Sequence, residues 1–363
     1  MFTKERMNNL LLGFMLAVGM VGTVGTSLVS TAAQAQEVSE SEAPPLDEIF
    51  LKNGSRILGT VTSARDGVIV IETDFAGSLS IALDSIASMQ TQGAQVFQLA
   101  DGTVIRDQPL VIKDESLQVS TDAGEPLNYA LGDVLVLNPE PWELGEGYKP
   151  FGTVSFAYAM QKGNTETEDL DFKIESFWRS LRDRYTLKAD ASIDETNDEK
   201  TGENWRVSGK YDYFLEGNDY WGWILAAEQD EFADLDLRVY TGPYYGRQFY
   251  NEPILTLSGE VGITYVTEDF IVAEDQDYLG ALWDFHASSD YLGGDSILYI
   301  DHVGIWNLEQ TDNLVLNTSF GLAFPLMGAL EAAAELVLDY DSSVGEGVDK
   351  LDQIYRLRIG YTW

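Results

Sequence analysis

One alternation restricts this chain more than any other feature. From residue 151 to residue 363, apolar side chains recur at every second position in runs of about ten to thirteen residues, separated by Gly, Asn and Asp. A period of two turns successive side chains to opposite faces of an extended strand, and no window holds the 3.6-residue period of an amphipathic helix. The spacing predicts twelve antiparallel strands. Their connections alternate in length: residues 161–169, 194–203, 228–236, 267–277, 308–313 and 341–350 form a longer set, and residues 179–184, 216–219, 250–253, 290–295 and 325–328 a shorter one. The longer set holds 23 acids against Lys162, Lys200 and Lys350, while the shorter holds six acids with Arg179, Arg182 and Arg184. Two ends facing different surroundings, joined by an even number of strands, predict an up-and-down transmembrane β-barrel.

Parity separates the two faces. In the last strand Leu351, Gln353, Tyr355, Leu357, Ile359, Tyr361 and Trp363 share one face, opposed by Asp352, Arg356, Arg358 and Thr362. A lipid-facing apolar set places Asp171, Lys173, Glu175, Lys188, Asp190, Arg206, Lys210, Asp212, Asp236, Arg238, Glu260, Asp284, Glu331, Glu335, Asp339, Arg356 and Arg358 in the lumen. Aromatics gather beside the short turns (Tyr211, Tyr213, Phe214, Tyr220, Trp221, Trp223, Tyr244, Tyr245, Phe249, Tyr250), where an interfacial girdle belongs. The ninth strand, residues 297–308, is apolar on both faces and does not choose. The closing strand, with Tyr355, Leu357, Ile359, Tyr361 and terminal Trp363, reads as the signal taken up by barrel-insertion machinery.

Charge and cysteine usage remove whole classes of function. With 60 acids against 22 bases the net charge is −38, which excludes a nucleic-acid partner, because phosphate binding needs clustered cations. There is no cysteine, so disulfides, thiolate metal sites and a lipidated cysteine are excluded together.

The amino-terminal part obeys other rules. Lys4 and Arg6, an apolar run from Leu10 and the small-residue site Ala33-Gln34-Ala35 predict a secretory signal over residues 1–35, followed by a linker at 36–46. Residues 47–92 and 93–140 then repeat at an offset of 48: Asn53-Gly54 matches Asp101-Gly102, Thr73-Asp74 matches Thr121-Asp122, and Leu79 matches Leu127. Asn-Gly and Asp-Gly between β-rich runs mark hairpins, and each copy reads as a small SH3- or Sm-like β unit. A Pro-rich hinge at 141–150 leads into the barrel at 151–363.

Several stretches resemble a known family: Lys162-Gly163-Asn164-Thr165 after the first barrel strand, Asp230-Glu231-Phe232-Ala233-Asp234-Leu235, Glu268-Asp269-Phe270, and the closing strand pair from Tyr340-Asp341 to Trp363. Over residues 150–363 the chain is similar to the salt-induced outer membrane proteins of the YdiY type, a family also labelled as a domain of unknown function. The resemblance implies an outer-membrane barrel and assigns no catalytic residue and no cofactor. The doubled amino-terminal unit departs from it.

Twelve strands about 4.8 Å apart and tilted about 40° give a backbone diameter near 24 Å and a lumen of at most about 10 Å. Such a lumen either conducts or is filled by paired charges. If it conducts, its acid excess and anionic loops favour inorganic cations or small cationic solutes. The expected role is therefore a passive cation-preferring pore or osmotic-adaptation protein in the outer membrane of a diderm bacterium, with residues 36–150 in the periplasm. The alternative is a closed barrel anchoring a periplasmic binding module. A hydrolase is a third, weaker reading. It rests on His286 and His302, which parity and pairing keep apart, with His286 opposite about Tyr299 and His302 opposite about Trp283. The acidic loops, such as Asp194-Glu195 with Asp198-Glu199 or Glu274-Asp275 with Asp277, lack the calcium-loop pattern and read as a solvated anionic rim.

Overall fold

The computed structural model describes residues 46–65, 67–100, 102–113, 116–119, 127–130, 134–161, 166–293, 295–343 and 349–363. The expected signal, most of the linker and the Gly163-Asn164-Thr165 hairpin lie outside these residues.

The first eleven strands are β1 (Asp47–Leu51), β2 (Arg56–Arg65), β3 (Val68–Thr73), β4 (Gly77–Ala82), β5 (Ile86–Gln90), β6 (Gln95–Leu99), β7 (Val104–Gln108), β8 (Val111–Lys113), β9 (Ser116–Val119), β10 (Leu127–Ala130) and β11 (Val134–Leu137). They form one hydrogen-bonded path, β10-β9-β8-β5-β1-β2-β11-β6-β7, with β3 and β4 branching from β2. The 48-residue offset reappears as reciprocal pairing. Ser88 and Met89 pair with Lys113 and Ile112, and shifting each number by 48 gives the other cross-copy ladder, Val136 and Leu137 with Arg65 and Ala64. Each copy is too small to bury a sufficient core alone. The two share one instead, in which Ile49, Ile71 and Ile86 of the first meet Phe97, Leu117 and Leu137 of the second.

A single 3-10 turn, Pro141–Leu144, leads on toward the barrel, with Glu140 and Glu143 capping each other's backbone. Arg65 pairs with Glu143 at 2.5 Å and Arg106 with Glu146 at 2.9 Å. Hydrogen bonds from Lys149 and Trp142 hold the Glu140 carboxyl below its usual range.

The barrel consists of β12 (Lys149–Gln161), β13 (Thr167–Arg179), β14 (Asp183–Thr196), β15 (Glu199–Phe214), β16 (Asp219–Asp230), β17 (Leu235–Glu252), β18 (Leu255–Phe270), β19 (Gln276–Ser289), β20 (Ile297–Asn307), β21 (Leu314–Met327), β22 (Leu330–Asp341) and β23 (Leu351–Thr362). Each strand pairs antiparallel with its sequence neighbours, and β23 returns to β12 to close the ring. Several strands run on through stretches expected as loops. β14 and β15 are joined by Asn197 and Asp198 alone, both in the left-handed region at φ of 52° and 65°. Hydrophobicity marks where a strand lies in an apolar medium, whereas its hydrogen bonds continue past that band.

The apolar set faces outward: Tyr158, Leu225, Val261, Ile263 and Leu357 are exposed, and the charged residues alternate inward. Among the described residues no helix is long and apolar enough to cross a membrane. The aromatic cluster at the short turns divides by parity. Tyr211, Tyr213, Trp221, Trp223, Phe249 and Tyr250 are exposed outside, but Tyr220 and Tyr244 are buried inside, contrary to the girdle expectation. Each inward tyrosine lies over a glycine of the neighbouring strand, Tyr220 across from Gly246 and Tyr244 across from Gly222. A Cβ on Gly222 would sit 2.1 Å from the Tyr244 ring, and one on Gly246 2.3 Å from that of Tyr220. Gly222→Ala and Gly246→Ala should each cost about 1–3 kcal/mol through overpacking. Urea unfolding in lipid vesicles measures this, and wild-type midpoints for both variants would contradict the inward placement of the rings.

Candidate functional site: the barrel interior

The inward residues meet as ion pairs across and around the lumen. Near the short turns, Arg184 pairs with Asp212 at 2.7 Å, and Tyr244 donates to the same carboxylate. Higher up, Lys210 bridges Glu260 and Asp284, the latter at 3.0 Å, while Tyr220 donates to Glu260 at 2.9 Å. On the opposite wall, Lys188 lies 3.1 Å from Glu175 and Lys173 lies 2.9 Å from Glu335, which also holds Arg358 at 3.0 Å. Arg356 pairs with Asp171 at 2.5 Å. Towards the long-loop end, Arg238 contacts Glu228 at 2.7 Å and both Glu268 and Asp341 at 2.5 Å, and Arg206 meets Glu228 at 2.5 Å.

Some of these contacts span the full width of the barrel. β15 and β21 lie six strands apart in the ring of twelve, and Arg206 of the first donates to Asn317 of the second at 2.9 Å. β14 and β20 are likewise opposite, and Lys188 reaches Asp301 at 3.6 Å. Side chains from facing walls therefore touch on the axis. Between the charged layers, Ile224, Val266, Leu282, Ile305 and Val315 form a buried apolar cluster with Tyr240 and Tyr278. Inward Val303 and Ile305 belong to this packing, which is why the ninth strand carries apolar residues on both faces. A cavity of about 110 Å³ remains at the long-loop end, walled by Asp190, Arg206, Asp339 and Arg356 and rimmed by Asp349 and Lys350.

The structure brings Lys173, Glu175, Lys188, Arg206, Lys210, Asp212, Arg238, Glu260, Asp284, Glu335, Arg356 and Arg358 into these pairs. Asp190 lines the cavity, and Glu331 lies half-buried at the short-turn end. Asp236 falls in a bulge of β17 and is exposed, contrary to its expected lumen position, because Leu235 and Leu237 shift the register there. Glu228, Glu268, Asp301, Asp341, Arg184 and Asn317 were absent from the expected set.

The histidines do not meet. His286 points inward and its Nδ1 lies 2.9 Å from Asp301, its direct cross-strand partner in place of the expected Tyr299. His302 faces outward, opposite Phe285 where Trp283 was expected, with Trp283 Nε1 donating to its Nε2 at 3.0 Å and Thr318 Oγ1 2.8 Å from its Nδ1. Loop acids build turns. Asp230 accepts from the backbone of Phe232 and Ala233, and Asp234 accepts from Val272 and Ala273 of the next connection. Among the described residues no three His, Asp or Glu side chains converge as a metal site.

With this geometry in place, comparison with known sequences gives the assignment. The family described as "Protein of unknown function, DUF481" matches residues 154–363. The chain belongs to the DUF481 family. A DUF481 relative, "Uncharacterized protein YdiY" of Escherichia coli (strain K12), is 25% identical over 181 residues, spanning 48% of this chain and 71% of its own length. Among solved structures, the NanC porin overlaps 58% of this chain and 98% of its own at 11% identity and a TM-score of 0.37. The translocator domain of the autotransporter NalP from Neisseria meningitidis overlaps 60% of this chain and 88% of its own at 9% identity and a TM-score of 0.35. Likeness at these scores transfers no activity to this DUF481 protein.

Proposed function

We propose that this protein is a closed outer-membrane barrel that anchors its doubled β module on the periplasmic side. One observation carries the reading: Arg206 with Asn317, and Lys188 with Asp301, join opposite walls through the axis, above and below an apolar core. Charges enclosed this way are tolerable only when paired. Strands β12 and β23 enter and leave at the short-turn end, which supports reading the doubled β module, its two repeats around one shared core, as periplasmic. The partners are outer-membrane lipid, the barrel-insertion machinery that reads residues 355–363, and whatever the module binds. The acidic outer rim, hydrated in concentrated salt, fits a salt-adapted envelope. No chemistry is assigned to the histidines, since His286 is held by Asp301 and His302 faces lipid.

The full-length protein in planar bilayers should show no steady conductance. Steady, cation-selective current would overturn the closed reading in favour of the pore that the acid excess alone suggests.

A further inference from the structure

The barrel wall is laddered unevenly. From β12–β13 round to β22–β23, each neighbouring pair is joined over 10 to 14 residue pairs. The closing pair β12–β23 is joined over four, Thr153–Phe156 against Ile359–Thr362, with Gly152 and Trp363 exchanging backbone hydrogen bonds beside them. Continuing that register would set Tyr158 opposite Leu357 and Gln161 opposite Ile354, yet among the described residues no ladder joins these stretches. Unpaired backbone facing hydrocarbon is costly, so the seam calls for an occupant that can satisfy polar groups.

Three features meet at that seam. Ala159, inward by alternation, is exposed, as are Tyr355 at 75% and Leu357 at 79%. An outer groove of about 860 Å³ runs from Leu298 past Phe320 and Ala334 to Tyr355 and Leu357 at the seam's edge, bordered by Glu335 and Arg356. Behind it lie three cations and three acids: Arg356 on Asp171, Arg358 and Lys173 on Glu335, and Lys173 also 4.0 Å from Glu175. The Arg358 side chain is only 4% exposed, and its Nη1 has no hydrogen-bond partner among the described residues. A buried guanidinium with an unused donor, beside an apolar groove of ligand size, matches one chemistry.

We propose that the β12–β23 seam admits the head group of an anionic amphiphile from the surrounding leaflet, its acyl chain in the groove and its carboxylate or phosphate on Arg358 and Arg356. This does not depend on a closed lumen. A conducting barrel that selects anionic amphiphiles would defeat the earlier reading and leave this one standing.

The test uses full-length protein in phosphatidylcholine vesicles with spin-labelled stearate, and the spin-labelled methyl ester as the uncharged control. Stearate should associate about tenfold more strongly than the ester, the worth of one charge-assisted hydrogen bond. Arg358→Gln should remove the preference. Because the chain has no cysteine, Tyr158→Cys with Leu357→Cys gives a second variant that leaves the interior untouched. Reduced, it should keep the preference; oxidised across the seam, it should lose it. Equal association of stearate and ester, or a preference that survives oxidation, would overturn the proposal. So would displacement of stearate by millimolar inorganic phosphate, which would mark a site for free anions.

Discussion

Arg238→Ala is expected to destabilise the folded barrel by about 3–5 kcal/mol, the cost of leaving buried charges without their partner. Arg238 is 3% exposed and holds Glu228, Glu268 and Asp341 together, with the Glu228 and Glu268 side chains 5% and 0% exposed. Arg206 remains to compensate Glu228, but Glu268 keeps only the neutral donors Tyr278 and Gln276. Adding Glu268→Gln to Arg238→Ala should recover a large part of the loss, because an amide in that place carries no charge to bury. Urea titration in lipid vesicles, followed by tryptophan fluorescence, measures both variants. The outcome also bears on function. In a water-filled lumen the orphaned carboxylates would be solvated and the loss would fall below about 1 kcal/mol, as for an exposed pair. A loss that small would count against the closed barrel independently of any current measurement.

The strand number, the antiparallel order and the outward apolar face are legible in the sequence because all three follow from a period of two, which is local. What each charge touches is not local. Lys188 and Asp301 meet only because ring closure sets β14 opposite β20, and nothing near either residue announces the other. Glu228, Glu268 and Asp341 read as loop in the sequence because they lie beside turn residues, whereas here the strands extend through them and turn them inward. The β19–β20 turn is centred one residue further along than expected, which moves the partner of His286 from Tyr299 to Asp301. A shift of two in the partner keeps every side chain on its face, so parity survived where register did not. The repeat at 48 residues was readable as similarity. Its consequence, reciprocal strand pairing around one shared core, required the pairing of β5 with β8 and of β11 with β2.

Leu225→Arg should destabilise the protein by about 2–4 kcal/mol in a bilayer, the penalty for a basic side chain on the lipid face at mid-depth. Leu225 lies near the middle of β16, is 57% exposed, and sits between Trp223 and Ala227 on the outward face. On a protein surrounded by water the same exchange would be near neutral, since an exposed leucine contributes little to folding. The sign of the result thus reports the medium around the wall, which the alternation alone leaves open: the interior of this barrel also carries apolar residues, among them Ile224 and Leu282. The inward neighbour supplies the contrast. Ile224→Arg would bury a cation in the apolar cluster and should be destabilising in either medium. Loss at both positions identifies a membrane barrel with a packed interior, whereas loss at Ile224 alone would describe a water-soluble barrel and remove the basis for an outer-membrane anchor.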